Sequence, residues 1–112
     1  MNYQQGDIVI VNFPFSDLSA HKKRPALIIS NELVNRTGDY LMVQITSKMR
    51  NDGFSLPLTS TDYVKNKPLP LQSWVRFHKM FLLSERLILT KYTRISKPYT
   101  TAVMGKVIQL LT

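Results

Sequence analysis

The sequence predicts a mainly β chain, a small barrel of five or six short strands with one helix at its C-terminus. Short β-branched and apolar runs recur up to position 95, separated by proline, glycine and polar turns. Only the final segment changes to helical spacing. The length of 112 residues and the hydrophobic share of 44% suit a single domain over 1–112 that buries its own core. No repeat, low-complexity stretch or linker interrupts it.

Residues 7–13, Asp-Ile-Val-Ile-Val-Asn-Phe, read as the first strand, and Pro14 ends it because proline donates nothing to a ladder. A polar loop over 14–23 leads to a second strand at 25–30. Residues 31–38 carry turn formers and room for one helical turn, and 40–46 form the third strand. A basic loop follows at 47–53, then a short strand at 54–58. A loop at 65–70 contains Pro68 and Pro70. Long strand 73–83 and strand 88–95 flank a turn at 84–86. Ser96 is suited to cap a helix of about 13 residues, with Pro98 in its first turn. Ala102, Val103, Val107, Leu110 and Leu111 recur on its apolar face.

Charge points to a partner. Fifteen Lys and Arg against seven Asp and Glu leave +8, with a pI near 10.0. On a folded domain this implies an anionic partner: nucleic acid, an acidic protein or a membrane surface. No apolar run approaches the ~20 residues of a membrane span. Met1 to Asp7 is polar and lacks a signal-peptide pattern, so a cytoplasmic protein is expected. There is no cysteine, which excludes disulfides and thiolate chemistry. The acids Asp7, Asp17, Glu32, Asp39, Asp52, Asp62 and Glu85 are scattered, no two within four positions. Metal-dependent nucleases gather carboxylates, and His21 and His78 are far apart in sequence. No metal and no cofactor is therefore expected.

Several residues suit phosphate chemistry. In His21-Lys22-Lys23-Arg24-Pro25, the proline biases Arg24 toward extended backbone at a strand entrance. A guanidinium there grips phosphate bidentately and never titrates off. The same run serves equally as a solvated loop capping a strand. Thr46 and Ser47 end the third strand beside Lys48 and Arg50, where hydroxyls donate to a phosphoryl oxygen or make turn bonds. His21, three residues before Arg24, titrates near neutrality and is a further acid–base candidate, or an exposed loop residue. On a regular long strand Arg76 and His78 share one face, either a groove wall or an outward polar face.

The run Gly6-Asp7-Ile8-Val9-Ile10-Val11-Asn12-Phe13, then Lys23-Arg24-Pro25-Ala26-Leu27-Ile28-Ile29-Ser30, then Val43-Gln44-Ile45-Thr46-Ser47, resembles the MazF/PemK family of bacterial toxins. Ser73-Trp74-Val75-Arg76 and the terminal helix match more loosely, so the resemblance spans nearly the whole chain. It implies an SH3-like β-barrel acting as a homodimer. It implies a metal-independent endoribonuclease that cuts single-stranded RNA at short sequences. The family's Arg before Pro falls on Arg24 and its strand-end Thr on Thr46, with Ser47 next to it. The chain departs from the family in its first loop, Ser16 to Lys23, which lacks Glu and Gln, and in the stretch Arg76-Phe77-His78-Lys79.

Such chemistry matches the residues. RNA carries its own nucleophile, the 2′-OH, and cations with hydroxyl donors relieve charge on the phosphorane. RNA contact is assigned to Lys22, Lys23, Lys48, Arg50, Arg76 and His78. Phe15, between Pro14 and Asp17, is placed first among the stacking aromatics, ahead of Phe54 and Trp74. A cognate acidic antitoxin segment is the expected partner, competing with RNA for the basic groove. The alternative on the same barrel is non-catalytic: a CcdB-like gyrase poison or a nucleic-acid-binding module.

Overall fold

The computed structural model describes residues 3–13 and 22–112. Six strands form one antiparallel sheet in the order β4-β5-β3-β2-β1-β6. They are β1 (Asp7–Phe13), β2 (Lys22–Ile28), β3 (Asp39–Thr46), β4 (Ser55–Leu58), β5 (Ser73–Ser84) and β6 (Ile88–Arg94). A one-turn helix α1 (Glu32–Asn35) links β2 to β3, and α2 (Lys97–Leu111) ends the chain. Strand β2 begins at Lys22, earlier than the sequence predicts, because its partner β1 carries the ladder out to the pair Phe13↔Lys22. Edge strands β4 and β6 do not pair, so the expected barrel is an incompletely closed sheet. Among the described residues an isolated bridge, Tyr63↔Ile95, joins the segment after β4 to the end of β6.

Both faces of the sheet are covered. One core holds Ile8, Leu27, Val43, Ile45, Val75 and Ile95 with Tyr99, Val103 and Val107 of α2. Alternate residues of the same strands, Val9, Val11, Ala26, Ile28 and Met42, build a second core with Tyr3, Tyr40 and Leu83. Ser96 caps α2, its hydroxyl accepting from the Tyr99 amide at 3.3 Å. The buried helix face is Tyr99, Val103 and Val107, whereas Ala102, Leu110 and Leu111 are exposed. The predicted face is thus rotated, because Tyr99 anchors the first turn by donating its hydroxyl to the Leu56 carbonyl at 2.9 Å.

At Gly6 the chain needs glycine, with φ +96° and a hypothetical Cβ 3.2 Å from Thr100 Oγ1. Next to it, Asp7 is 1% exposed and accepts from the Gln4 amide at 2.8 Å. The Arg94 guanidinium reaches the same carboxylate at 2.5 Å and the Lys91 ammonium at 3.4 Å. Among the described residues, no helix is long and apolar enough to cross a membrane.

Candidate active site

Pairing between β2 and β3 covers only Ala26↔Gln44, Leu27↔Val43 and Ile28↔Met42. Pro25 is the next residue of β2, and it has no N–H to continue a ladder. Beyond that point β2 stays with β1 while β3 stays with β5 out to Thr46↔Trp74. Where the two strands part, a cavity of about 860 Å³ opens. Lys23, Arg24 and Pro25 line it from β2, and Gln44, Ile45, Thr46, Ser47, Lys48 and Arg50 from β3 and the loop after it. Thus the sequence-predicted Arg24 and Thr46–Ser47, 22 positions apart from Arg24 to Thr46, share one cavity.

The Arg24 side chain is half-buried, and its Nε is buried without a hydrogen-bond partner among the described residues. A buried donor left unpaired costs ~1–3 kcal/mol, so this position suits an incoming acceptor. Thr46 Oγ1 accepts from the Lys48 amide at 3.1 Å. That bond uses a lone pair and leaves the O–H as a donor.

Arg76 also lines the cavity, but it is already engaged. Its side chain is 8% exposed and its two terminal nitrogens meet both Asp52 oxygens, at 2.8 and 2.9 Å. Ser55 Oγ accepts a further bond from it at 2.9 Å. The guanidinium holds the Asp52 carboxyl down at about 2. Asp52 in turn accepts from the Phe54 amide at 3.1 Å. Arg76 therefore fastens the end of the basic loop that carries Lys48 and Arg50.

His78 is not among the walls of the cavity that Arg76 lines. Strand β5 is irregular: Val43 pairs with Met80 and Gln44 with Arg76, so Phe77, His78 and Lys79 are inserted between them. Lys79 lines the cavity in place of His78. His78 stacks on Phe54, ring centroids 4.3 Å apart, with Nδ1 buried and unpartnered among the described residues. Burial, then the nearby Arg76 and Lys79 charges, lower its pKa. Lys22 is exposed outside the cavity, and Phe54 and Trp74 are not among its walls. His21 and Phe15 lie outside the described residues.

Sequence reasoning missed Lys79, Tyr92 and the apolar stretch Leu69-Pro70-Leu71, all of which line the cavity. No local signal marks them: two enter through strand irregularities, the others through a connection.

The sequence model of the PemK-like, MazF-like toxin of type II toxin–antitoxin systems matches residues 4–111. The chain belongs to this family. Solved structures of other members show the same fold. A MazF from Deinococcus radiodurans superposes with a TM-score of 0.77 at 23% identity, covering 98% of each chain. A MazE–MazF structure from the same organism gives 0.78 at 22%, over 97% of this chain and 95% of the other. A mycobacterial endoribonuclease in complex with its cognate antitoxin gives 0.69 at 20%, over 95% and 87%. No curated protein matches the sequence significantly. In this PemK-like chain, the strand-parting cavity gathers Arg24 with the Thr46–Ser47 hydroxyls.

Proposed function

We propose that this toxin is a metal-independent, sequence-specific endoribonuclease that cleaves single-stranded RNA by 2′-OH attack. The observation that carries the reading is the pairing of Arg24 with Thr46 in one cavity ringed by Lys23, Lys48, Arg50 and Lys79. Those cations attract the RNA backbone. Arg24 lies against the scissile phosphate, and its unpartnered Nε meets a non-bridging oxygen. The Thr46 hydroxyl donates to the phosphoryl group, with Ser47 beside it. The 2′-oxygen attacks phosphorus, its proton leaves, and the departing 5′-oxygen takes a proton, giving a 2′,3′-cyclic phosphate and a 5′-hydroxyl. Arg24 and Thr46 stabilise the extra negative charge of the phosphorane. His21 is retained as an acid–base candidate.

The protein acts as a cytoplasmic homodimer, and a cognate acidic antitoxin competes with RNA for the basic cavity. The structures that match include a MazE–MazF complex and an endoribonuclease bound to its antitoxin, which supports that partner class.

The test is incubation of the purified chain with a long RNA in EDTA, followed by mapping of the cut ends. Cleavage at short recurrent sequences, lost in Arg24→Ala, is expected. Intact RNA at high concentrations of folded protein overturns the reading and favours a non-catalytic toxin. Cleavage abolished by EDTA overturns its metal independence.

A further inference from the structure

We propose that the apolar wall of this cavity, Leu69, Pro70 and Leu71 with Tyr92, is a nucleobase subsite. It seats one base of the strand whose phosphate lies against Arg24 and Thr46. The inference rests on the endoribonuclease reading and deepens it, dividing the cavity between RNA backbone and base.

The cavity has two characters. Its cations suit phosphate, but these four residues offer a phosphate no charge-assisted bond. A nucleotide joins an anion to a planar ring with a dispersive face, and bases of single strands stack readily on aromatic and apolar side chains. Tyr92 is brought to the cavity by a β-bulge. Ile8 pairs with Thr93 and Val9 with Lys91, so Tyr92 has no partner in register. Bulges re-aim side chains, and this one lies on an edge strand.

The wall is also fixed before any ligand arrives. Lys65 and Asn66 adopt left-handed backbone, φ 59° and 51°, uncommon for residues other than glycine. They turn the chain into Lys67, whose ammonium lies 4.9 Å from the Tyr92 ring centroid. Pro68 and Pro70 restrict the segment further. Ser73 Oγ donates to the Leu71 carbonyl at 2.9 Å, and Gln72 Nε2 to the Leu58 carbonyl at 2.9 Å. Leu71 remains 66% exposed although its carbonyl is held. An apolar side chain presented on fixed backbone costs little further ordering when it meets a ligand.

An abasic scan tests this. Oligoribonucleotides containing one mapped cut site have single bases removed at each flanking position. The wild-type protein is expected to lose about 10-fold in kcat/KM at one position, the size of one stacking contact. Leu71→Ser changes an exposed residue and spares the fold, and Tyr92→Leu keeps apolar bulk. Both variants are expected to cut intact RNA less well yet no longer respond to base removal at that position. Indifference of the wild type at every position overturns the inference, as does an undiminished penalty in both variants. An acidic peptide as the wall's occupant would give that indifferent outcome. If the wild type cuts no RNA, the endoribonuclease reading fails instead. Fluorescence anisotropy with an intact RNA and its fully abasic counterpart then decides the subsite. Tighter binding of the intact strand that Leu71→Ser removes supports it, and equal binding overturns it.

Discussion

Arg24 and Arg94 are the same side chain put to opposite uses. At the Gly6 corner, Arg94 and Lys91 converge on a carboxylate that is 1% exposed, so positive charge there is consumed in holding β6 against the N-terminal turn. At the strand-parting cavity, Arg24 has no ion pair among the described residues and keeps a buried nitrogen unpartnered. The nearby carboxylate, Asp52, is claimed by Arg76. The difference teaches that net charge is a poor guide to function until each cation has been matched against its acid. What remains unmatched at the cavity is what an anionic strand can use.

Removing each of the two arginines in turn should break the comparison most sharply. Arg24→Ala is expected to slow RNA cleavage about 100–1000-fold, the cost of losing one preorganised donor. Its urea midpoint should stay close to wild type, since Arg24 makes no ion pair among the described residues. Arg94→Ala should do the reverse. It leaves the buried Asp7 with the Gln4 amide and the longer contact to Lys91, costing about 3 kcal/mol of stability in urea unfolding. Cleavage per folded molecule should be retained. A stable Arg94→Ala protein would show that the Gly6 corner does not depend on its charges.

Smaller effects sharpen the role of Arg76. Asp52→Asn should release the basic loop, raising the KM for RNA several-fold while leaving kcat nearly unchanged. A fall in kcat alone would make Arg76 a participant in the chemistry rather than a positioning residue. Because the Asp52 carboxyl is held at about 2 in the fold, below its usual 3.8, its contribution is present above pH 3.8. That contribution disappears as pH falls through about 2, so the latch stays closed at any pH used for assay. Acid unfolding followed by fluorescence should show this contribution in wild type and not in Asp52→Asn.

His78 gives the smallest effect. Burial lowers its pKa below 6.5, so the unfolded chain takes up a proton first as pH falls. Stability from this group is full above pH 6.5 and declines below it. His78→Phe, which keeps a ring against Phe54, should flatten the stability profile below pH 6.5. An unchanged slope would mean that the imidazole reaches water.

The strand and helix order was legible because each element carries its own period, and Ser96 marks the start of α2 through backbone chemistry alone; Pro25 instead lies inside β2 and adjoins the last β2–β3 pair. Arg24 and Thr46 were legible for a similar reason: each stands near a strand end beside basic residues. Their meeting was not, since it depends on where the β2–β3 ladder stops. Regular alternation does not foresee that Lys79 lines the cavity and His78 does not, because β5 absorbs three residues in a bulge, an event set by its pairing with β3. The apolar face predicted for α2 failed at Ala102, Leu110 and Leu111, because the sheet beneath selects Tyr99, Val103 and Val107. The sequence by itself determined the elements, the excess of positive charge and the scarcity of acids, all properties of short windows or sums. Tertiary structure alone decided which cations are neutralised and that Tyr92 and Leu71 face the same cavity as Arg24. Ion pairs, bulges and strand partings arise between segments distant in the chain, and no local pattern encodes them.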